Sequence, residues 1–216
     1  MLLKPEKCRE ALAILKQTYP EAKPALHFST PYELLTATML SAQCTDKMVN
    51  KVTPAVFARF PDVASMAAAT VEELYPMVKP CGFKSKANNI IETCKLLMLR
   101  HGGEVPRTME ELTALPGVGR KTANVVMSNA FGVPAIAVDT HVFRVSNRLG
   151  LAEADDVLKT ELQLQKAIPR KDWLDMHHRI IFHGRRVCKA QRPLCDECTL
   201  RELCKAERAR QKPPKA

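Results

Sequence analysis

LPGVGRKTANVV, which spans residues 115–126, joins a tight turn to the start of a helix. A short helical pattern over residues 109–115 precedes it, so the sequence predicts a helix-hairpin-helix. Gly117 and Gly119 permit the turn, and backbone N–H groups of Gly117, Val118 and Gly119 can bind a phosphate oxygen at a helix start. The alternative is an ordinary corner between two helices, without a ligand.

Lys121 stands in the first turn of the second helix, where the helix dipole disfavours a positive charge by roughly 0.3–1 kcal/mol. The same field favours the neutral amine, a nucleophile that can form a Schiff base. A solvated surface lysine is the alternative. Arg120, the other member of the basic pair, is a candidate phosphate contact.

Asp139 precedes a segment that predicts a helix as far as Leu149. A carboxylate at this position suits a helix N-cap. Near Lys121 it could also accept the lysine proton and stabilise an oxocarbenium-like sugar. The two roles are compatible because a capping carboxylate is rigid and ionised.

Four of the eight cysteines fall within 17 residues near the C-terminus, with the spacing C-x6-C-x2-C-x5-C. Such a cluster is typical of a metal site and not of a disulfide framework. The wide outer gaps favour an iron–sulfur cubane, although a zinc site is the alternative. Lys189 and Arg192 lie in the first loop of the cluster and are candidate phosphate contacts. The four candidate ligands are Cys188, Cys195, Cys198 and Cys204.

The charge of the chain is concentrated in its C-terminal quarter. The net charge is +10, and residues 166–216 carry 14 basic and 6 acidic residues, a net of +8. This asymmetry favours a polyanionic partner, nucleic acid before an anionic membrane surface, over a solubility tail. Hydrophobic residues make up 46%, and no apolar run approaches the ~20 residues of a membrane span. We therefore expect a globular, cytoplasmic protein with no membrane association.

Helical periodicity runs through almost the whole chain, which predicts an all-α protein of about ten short helices. Thr30 before Pro31 and the Thr70–Glu73 capping box predict helix starts. Asp46 and Ser85 are further candidate caps, and Gly102 and Gly103 predict a helix end. The remaining predicted helices cover residues 5–18, 46–57, 86–101, 109–115, 139–149, 155–168, 172–187 and 199–209.

The hairpin, the stretch AVDTHVFRVSNRLGL and the cysteine spacing, in this order, closely resemble the endonuclease III family of helix-hairpin-helix DNA glycosylases. The likeness extends from Phe28 to Cys204. It implies a two-lobed α-helical fold with the DNA cleft between a six-helix barrel, residues 22–132, and a second lobe, residues 1–21 and 133–216. The second lobe would carry a 4Fe–4S cluster on the four cysteines.

The resemblance also implies functions for individual residues. Lys121 would be the nucleophile of a DNA glycosylase and abasic-site lyase, assisted by Asp139. Gln43 would fill the space left by a flipped nucleotide. Phe83, in CGFKSKA, would be the wedge in the base stack, although its loop has three residues where the family usually has four. The expected substrate is duplex DNA with an oxidised pyrimidine or an abasic site, bound by a monomer.

Other functions are compatible with parts of the pattern. Adenine-mismatch glycosylases share a similar cysteine spacing but typically lack the lysine and carry a further C-terminal domain. A thymine-mismatch glycosylase is disfavoured on similar grounds. A non-enzymatic DNA-binding module or a zinc-stapled protein would need no pairing of Lys121 with Asp139.

Overall fold

The computed structural model of the chain describes residues 2–211, which form two compact units. The terminal unit combines the residues up to Lys23 with the chain from Pro134 onward, and the inserted unit is Pro24–Val133. Regular structure within the described residues is helical throughout, so the predicted all-α class is confirmed. Among residues 2–211 no helix is both long and apolar enough to cross a lipid bilayer.

The α-helices differ widely in length, and short 3-10 turns connect several of them. In chain order the α-helices are α1 (Pro5–Thr18), α2 (Pro31–Ser41), α3 (Asp46–Arg59), α4 (Val63–Ala67), α5 (Val71–Val78), α6 (Lys84–His101), α7 (Met109–Thr113), α8 (Arg120–Phe131), α9 (Thr140–Leu149), α10 (Val157–Ala167), α11 (Trp173–Arg186) and α12 (Lys205–Arg210). The 3-10 turns are Lys79–Cys81, Arg170–Asp172, Cys195–Glu197 and Arg201–Leu203.

The inserted unit is built around α2, which is buried on nearly all sides. Its neighbours are α3, α6 and α8, while α4 and α5 pack on α6. A helix that is apolar around its whole circumference has to lie inside a protein core. The position of α2 therefore fixes where the chain leaves the core, directly after Ser41.

The terminal unit has its own apolar core, formed by α1, α9, α10 and α11 and by the cysteine-rich segment. Leu15, Val142 and Met176 are completely buried there. Leu200 and Leu203, which lie between cysteines, belong to the same core. The cysteine-rich segment is thus part of the hydrophobic packing of this unit.

Several helix boundaries differ from the sequence predictions. Thr45 and not Asp46 caps α3, because its hydroxyl accepts the Met48 N–H. Ser85 does not cap α6, which begins at Lys84, two residues earlier than predicted, and has no side-chain cap. Helix α4 was not predicted, although Asp62 provides a capping box for it.

One further predicted helix differs from the structure, whereas three predicted boundaries agree with it. The predicted last helix, 199–209, is a 3-10 turn followed by the shorter α12, because the chain must turn between the last two cysteines. The predicted starts at Thr30 and Thr70 and the helix end at Gly102 are confirmed.

Candidate functional site

The helix-hairpin-helix lies in the inserted unit, where α7, a turn and α8 follow one another. Gly117 has φ +72°, a left-handed conformation that L-residues rarely adopt. A Cβ added there would lie 2.8 Å from Nδ2 of Asn89 on α6. Thr93, also on α6, donates its hydroxyl to the Pro116 carbonyl at 3.0 Å. The turn is therefore held against α6 and requires glycine at position 117.

The start of α8 is left without a side-chain cap, since its N-cap residue is Gly119. Gly119 has an ordinary extended φ of −90°, and a Cβ added there would meet nothing within 4 Å. Val118 is buried, and its N–H donates to the Leu115 carbonyl at 3.1 Å. Of the three predicted phosphate donors, Val118 is thus already engaged within the turn.

Lys121 is the second residue of α8, and its side chain is exposed together with that of Arg120. The hairpin therefore brings two cationic side chains and an uncapped helix start onto one turn. Such an arrangement suits a phosphodiester, because both the amide dipoles and the side-chain charges attract an anion.

Asp139 lies in the terminal unit and is the N-cap of α9. Its Oδ1 accepts the Val142 N–H at 2.7 Å, which holds the carboxylate in one orientation. The capping role predicted for Asp139 is confirmed. Its catalytic partnership with Lys121 stays a prediction.

Gln43 and Phe83 lie on two loops of the inserted unit, one after α2 and the other before α6. Gln43 is exposed and has φ +56°, in the left-handed region that a side chain disfavours. Phe83 exposes 72% of its surface, although a phenylalanine normally packs inside a protein. Neither feature helps the fold, so both residues are candidates for contact with a ligand.

The four clustered cysteines line one cavity of about 40 Å³ in the terminal unit. Burial raises the pKa of the Cys198 thiol, and the other three thiols raise it further, while a backbone hydrogen bond from Leu200 lowers it. The His183 ring nitrogen Nε2 lies 3.6 Å from Cys198 Sγ. Arg148 and Arg210 approach the sulfurs of Cys188 and Cys195 at 3.7 and 3.3 Å.

The four thiols line the same cavity but are not grouped closely around a single point. Within residues 2–211 no group of three His, Cys, Asp or Glu side chains is compact enough to hold one metal ion. Zinc–sulfur bonds of ~2.3 Å would require such a compact group. In an iron–sulfur cubane each thiolate binds a different iron, which leaves the sulfurs further apart. Four thiols that line one cavity are a donor set suited to a metal centre.

Lys189 and Arg192 are exposed on the loop between the first two cysteines. Arg192 has φ +48°, again a strained conformation for a residue with a side chain. Arg148 on α9 supports this loop by donating to the Lys189 and Ala190 carbonyls at 2.7 and 2.9 Å. Sequence reasoning missed Arg148, although its place four residues after Arg144 on one face of α9 offered a weak signal.

The chain resembles proteins of known type along nearly its whole length. Residues 36–170 match the family described as HhH-GPD superfamily base excision DNA repair protein. An endonuclease III of Synechocystis sp. is 49% identical over 211 residues, which cover 97% of this chain and 96% of that protein.

Two solved structures extend the likeness to three dimensions. A non-covalent endonuclease III–DNA complex has a TM-score of 0.92 at 48% identity and covers 97% of this chain and 99% of that chain. A trapped endonuclease III–DNA covalent intermediate, an estranged-adenine complex, has a TM-score of 0.92 at 47% identity, with 98% and 100% coverage. The helix-hairpin-helix glycosylase fold expected from the sequence is confirmed.

Proposed function

The chain belongs to the endonuclease III family of base excision DNA repair enzymes, and on this premise we propose that it excises oxidised pyrimidines from duplex DNA and cleaves the resulting abasic site. As a member of this family it is a DNA glycosylase and lyase. The observation that carries the proposal is the exposed Lys121 at the uncapped start of α8.

Lys121 is the proposed nucleophile. Its neutral Nζ attacks the sugar C1′, the N-glycosidic bond breaks, and the base leaves with the bonding electrons and takes up a proton. Opening of the sugar ring gives a Schiff base between Nζ and C1′. Loss of a proton from C2′ then expels the 3′ phosphate, which cuts the strand on that side. A covalent intermediate has been trapped for a similar protein, which supports covalent chemistry here.

Asp139 is the proposed partner of Lys121. Its carboxylate would take the proton that the ammonium must lose and would stabilise positive charge on the sugar. The cap on α9 supports this role, because a carboxylate with one oxygen held by a backbone N–H has little freedom to turn away. Replacement by asparagine would keep the shape and remove the charge.

The hairpin is the proposed DNA backbone site. The N–H groups of Gly117 and Gly119 would bind one phosphate, and Arg120 would add a charge-assisted hydrogen bond. Val118 would serve as the buried anchor of the turn, because its own N–H is engaged. Gln43 and Phe83 are the residues proposed to enter the base stack, and their exposure supports this role.

A 4Fe–4S cluster is the proposed cofactor, held by the four clustered cysteines. When bound, it would crosslink the segment between Cys188 and Cys204 and take no part in the reaction. Lys189 and Arg192, on the loop so fixed, would contact DNA phosphates. We propose that the protein acts as a monomer on DNA in the cytoplasm, in keeping with its net charge of +10.

Borohydride trapping on abasic duplex DNA tests the nucleophile. We expect Lys121→Gln to lower the yield of covalent complex roughly a hundredfold or more, because glutamine cannot form a Schiff base. Lys51→Gln, which removes an exposed lysine on α3, is the matched control and should trap like the wild type. Trapping by Lys121→Gln at the wild-type yield would show that another amine is the nucleophile.

The substrate proposal requires a separate set of duplexes. Base release should be fastest from duplexes with oxidised pyrimidines, while duplexes with adenine or thymine mismatches should remain intact. Preferential release of a mismatched base would instead assign the chain to a mismatch glycosylase.

A further inference from the structure

The side chain of Lys86 joins two loops of the inserted unit. Its Nζ donates to the carbonyls of Leu40 at 2.9 Å, Cys81 at 2.5 Å and Ala42. A lysine ammonium has three N–H donors and no acceptor. All three donors are therefore used, and each is bound to a backbone oxygen.

The three carbonyls belong to helix ends that lack their own partners. Leu40 and Ala42 lie at the C-terminal end of α2, which has no basic residue in its last turn. Cys81 ends the 3-10 turn that precedes α6. The last carbonyls of a helix lack intrahelical partners and attract a cation. One ammonium thus caps two helix ends that are about forty residues apart in the chain.

Both capped ends lead directly into the residues proposed to enter DNA. Gln43 follows Ala42 and has the strained φ of +56°. Phe83 follows Cys81 by two residues and is highly exposed. A Cβ added to Gly82, the residue before Phe83, would lie 3.3 Å from Lys86 Nζ, so the ammonium is packed closely against the Phe83 loop.

We propose that Lys86 is a positioning residue for base extrusion, which fixes Gln43 and Phe83 relative to each other. The inference rests on the proposed function, in which both residues enter the base stack. Extrusion of a stacked base costs energy, and a wedge and a space-filling side chain offset that cost only if they enter together. A rigid connection between the two loops holds both side chains in position, before DNA binds, so that they enter the base stack together.

Lys84 offers a matched control on the same turn of α6. Its Nζ pairs with Glu72 at 3.1 Å on the surface and contacts no carbonyl of either loop. Lys84→Met and Lys86→Met remove the same charge at nearly the same place. Only Lys86→Met removes the connection between the loops.

The experiment compares single-turnover rates on two duplexes, one with an oxidised pyrimidine and one with a preformed abasic site. We expect Lys86→Met to slow base release roughly tenfold or more and to slow abasic-site cleavage less than about threefold, because an abasic site has no base to unstack. Lys84→Met should affect both rates equally and mildly. Equal losses by Lys86→Met on the two duplexes would overturn the positioning role.

A double-mutant comparison separates positioning from general stability. Phe83→Ala should slow base release strongly in the wild-type background and only weakly beside Lys86→Met, because the wedge is already misplaced there. Additive losses would contradict the proposal.

If Lys86→Met does not fold, the same comparison uses Lys86→Arg, which keeps a cation but cannot direct three converging donors from one nitrogen. A wild-type protein without base release would refute the proposed function itself, and the inference with it.

Discussion

At the scale of single residues, the strained backbone conformations occur at residues that are proposed to contact DNA. Within residues 2–211, Gln43 and Arg192 are the non-glycine residues with positive φ. Both are also candidate ligand contacts on the sequence pattern alone. Such conformations cost of order 1–3 kcal/mol and persist where the surrounding structure imposes them. The loop beside Lys86 and the loop held by Arg148 provide that surrounding structure.

Gly117→Ala is expected to lower the free energy of unfolding by about 2 kcal/mol or more. Alanine in a left-handed conformation costs ~1–2 kcal/mol, and its Cβ would lie 2.8 Å from Asn89 Nδ2. Gly119→Ala is the control, since its Cβ would meet nothing within 4 Å. It should cost at most ~1 kcal/mol, because alanine caps a helix poorly. Urea denaturation of both variants measures the difference, and similar losses would contradict the assigned turn.

At the scale of elements, α11 combines an apolar face with buried histidines. Met176 and Ile180 are completely buried in the core of the terminal unit, and the His177 and His178 rings stack at 4.0 Å. The pKa of His178 is lowered to about 3, mainly by burial and to a smaller extent by the neighbouring His177 and Arg179. His178 is therefore neutral in the folded protein near pH 7 and below.

Acid is expected to destabilise the protein through His178. The unfolded histidine binds a proton below pH ~6.5, while the folded one does not until about pH 3. The contribution of neutral His178 to the free energy of unfolding is therefore fully present above pH ~6.5 and is lost as the pH falls towards 3. Between pH 7.5 and 5.5 the wild type should lose roughly 1 kcal/mol more of its free energy of unfolding than His178→Gln. His27→Gln, at an exposed histidine, should behave like the wild type in the same urea titrations.

At the scale of the whole molecule, each unit has a separate hydrophobic core. The cysteine-rich segment contributes Leu200 and Leu203 to the terminal core alone. A cluster that closes this segment would therefore stabilise one unit directly and leave the core of the other untouched. The two units should respond differently to loss of the cofactor.

Removal of iron should increase the solvent exposure of backbone amides in the terminal unit and not in the inserted unit. We expect the purified protein to contain iron and to absorb broadly in the visible range, as an iron–sulfur protein does. After iron removal, amide hydrogen exchange should accelerate in residues 188–210 and in α9 and α11, which pack near them, and change little in residues 24–133. A colourless protein with one bound zinc, or uniform acceleration in both units, would contradict this prediction.

Features that depend only on neighbouring residues could be predicted from the amino-acid sequence. The turn at Gly117, the caps at Thr30 and Thr70, the helix end at Gly102 and the cysteine spacing are all local patterns, because the groups that satisfy one another lie within a few positions. The predicted cap of α6 is wrong, because the residue at which this helix begins does not follow from the local pattern. Ser85 is a good capping residue, but α6 begins at Lys84 and places Ser85 inside its first turn.

The distant groups that support the site become apparent only from the packing of the helices. No local pattern distinguishes Lys86, yet its ammonium caps helix ends that precede Gln43 and Phe83. Arg148 lies within a predicted helix that assigns it no partner, yet it holds the basic loop by donating to two carbonyls. Backbone carbonyls are identical at every position of a sequence. Which of them remain unpaired, and which cation reaches them, is determined only when the helices pack.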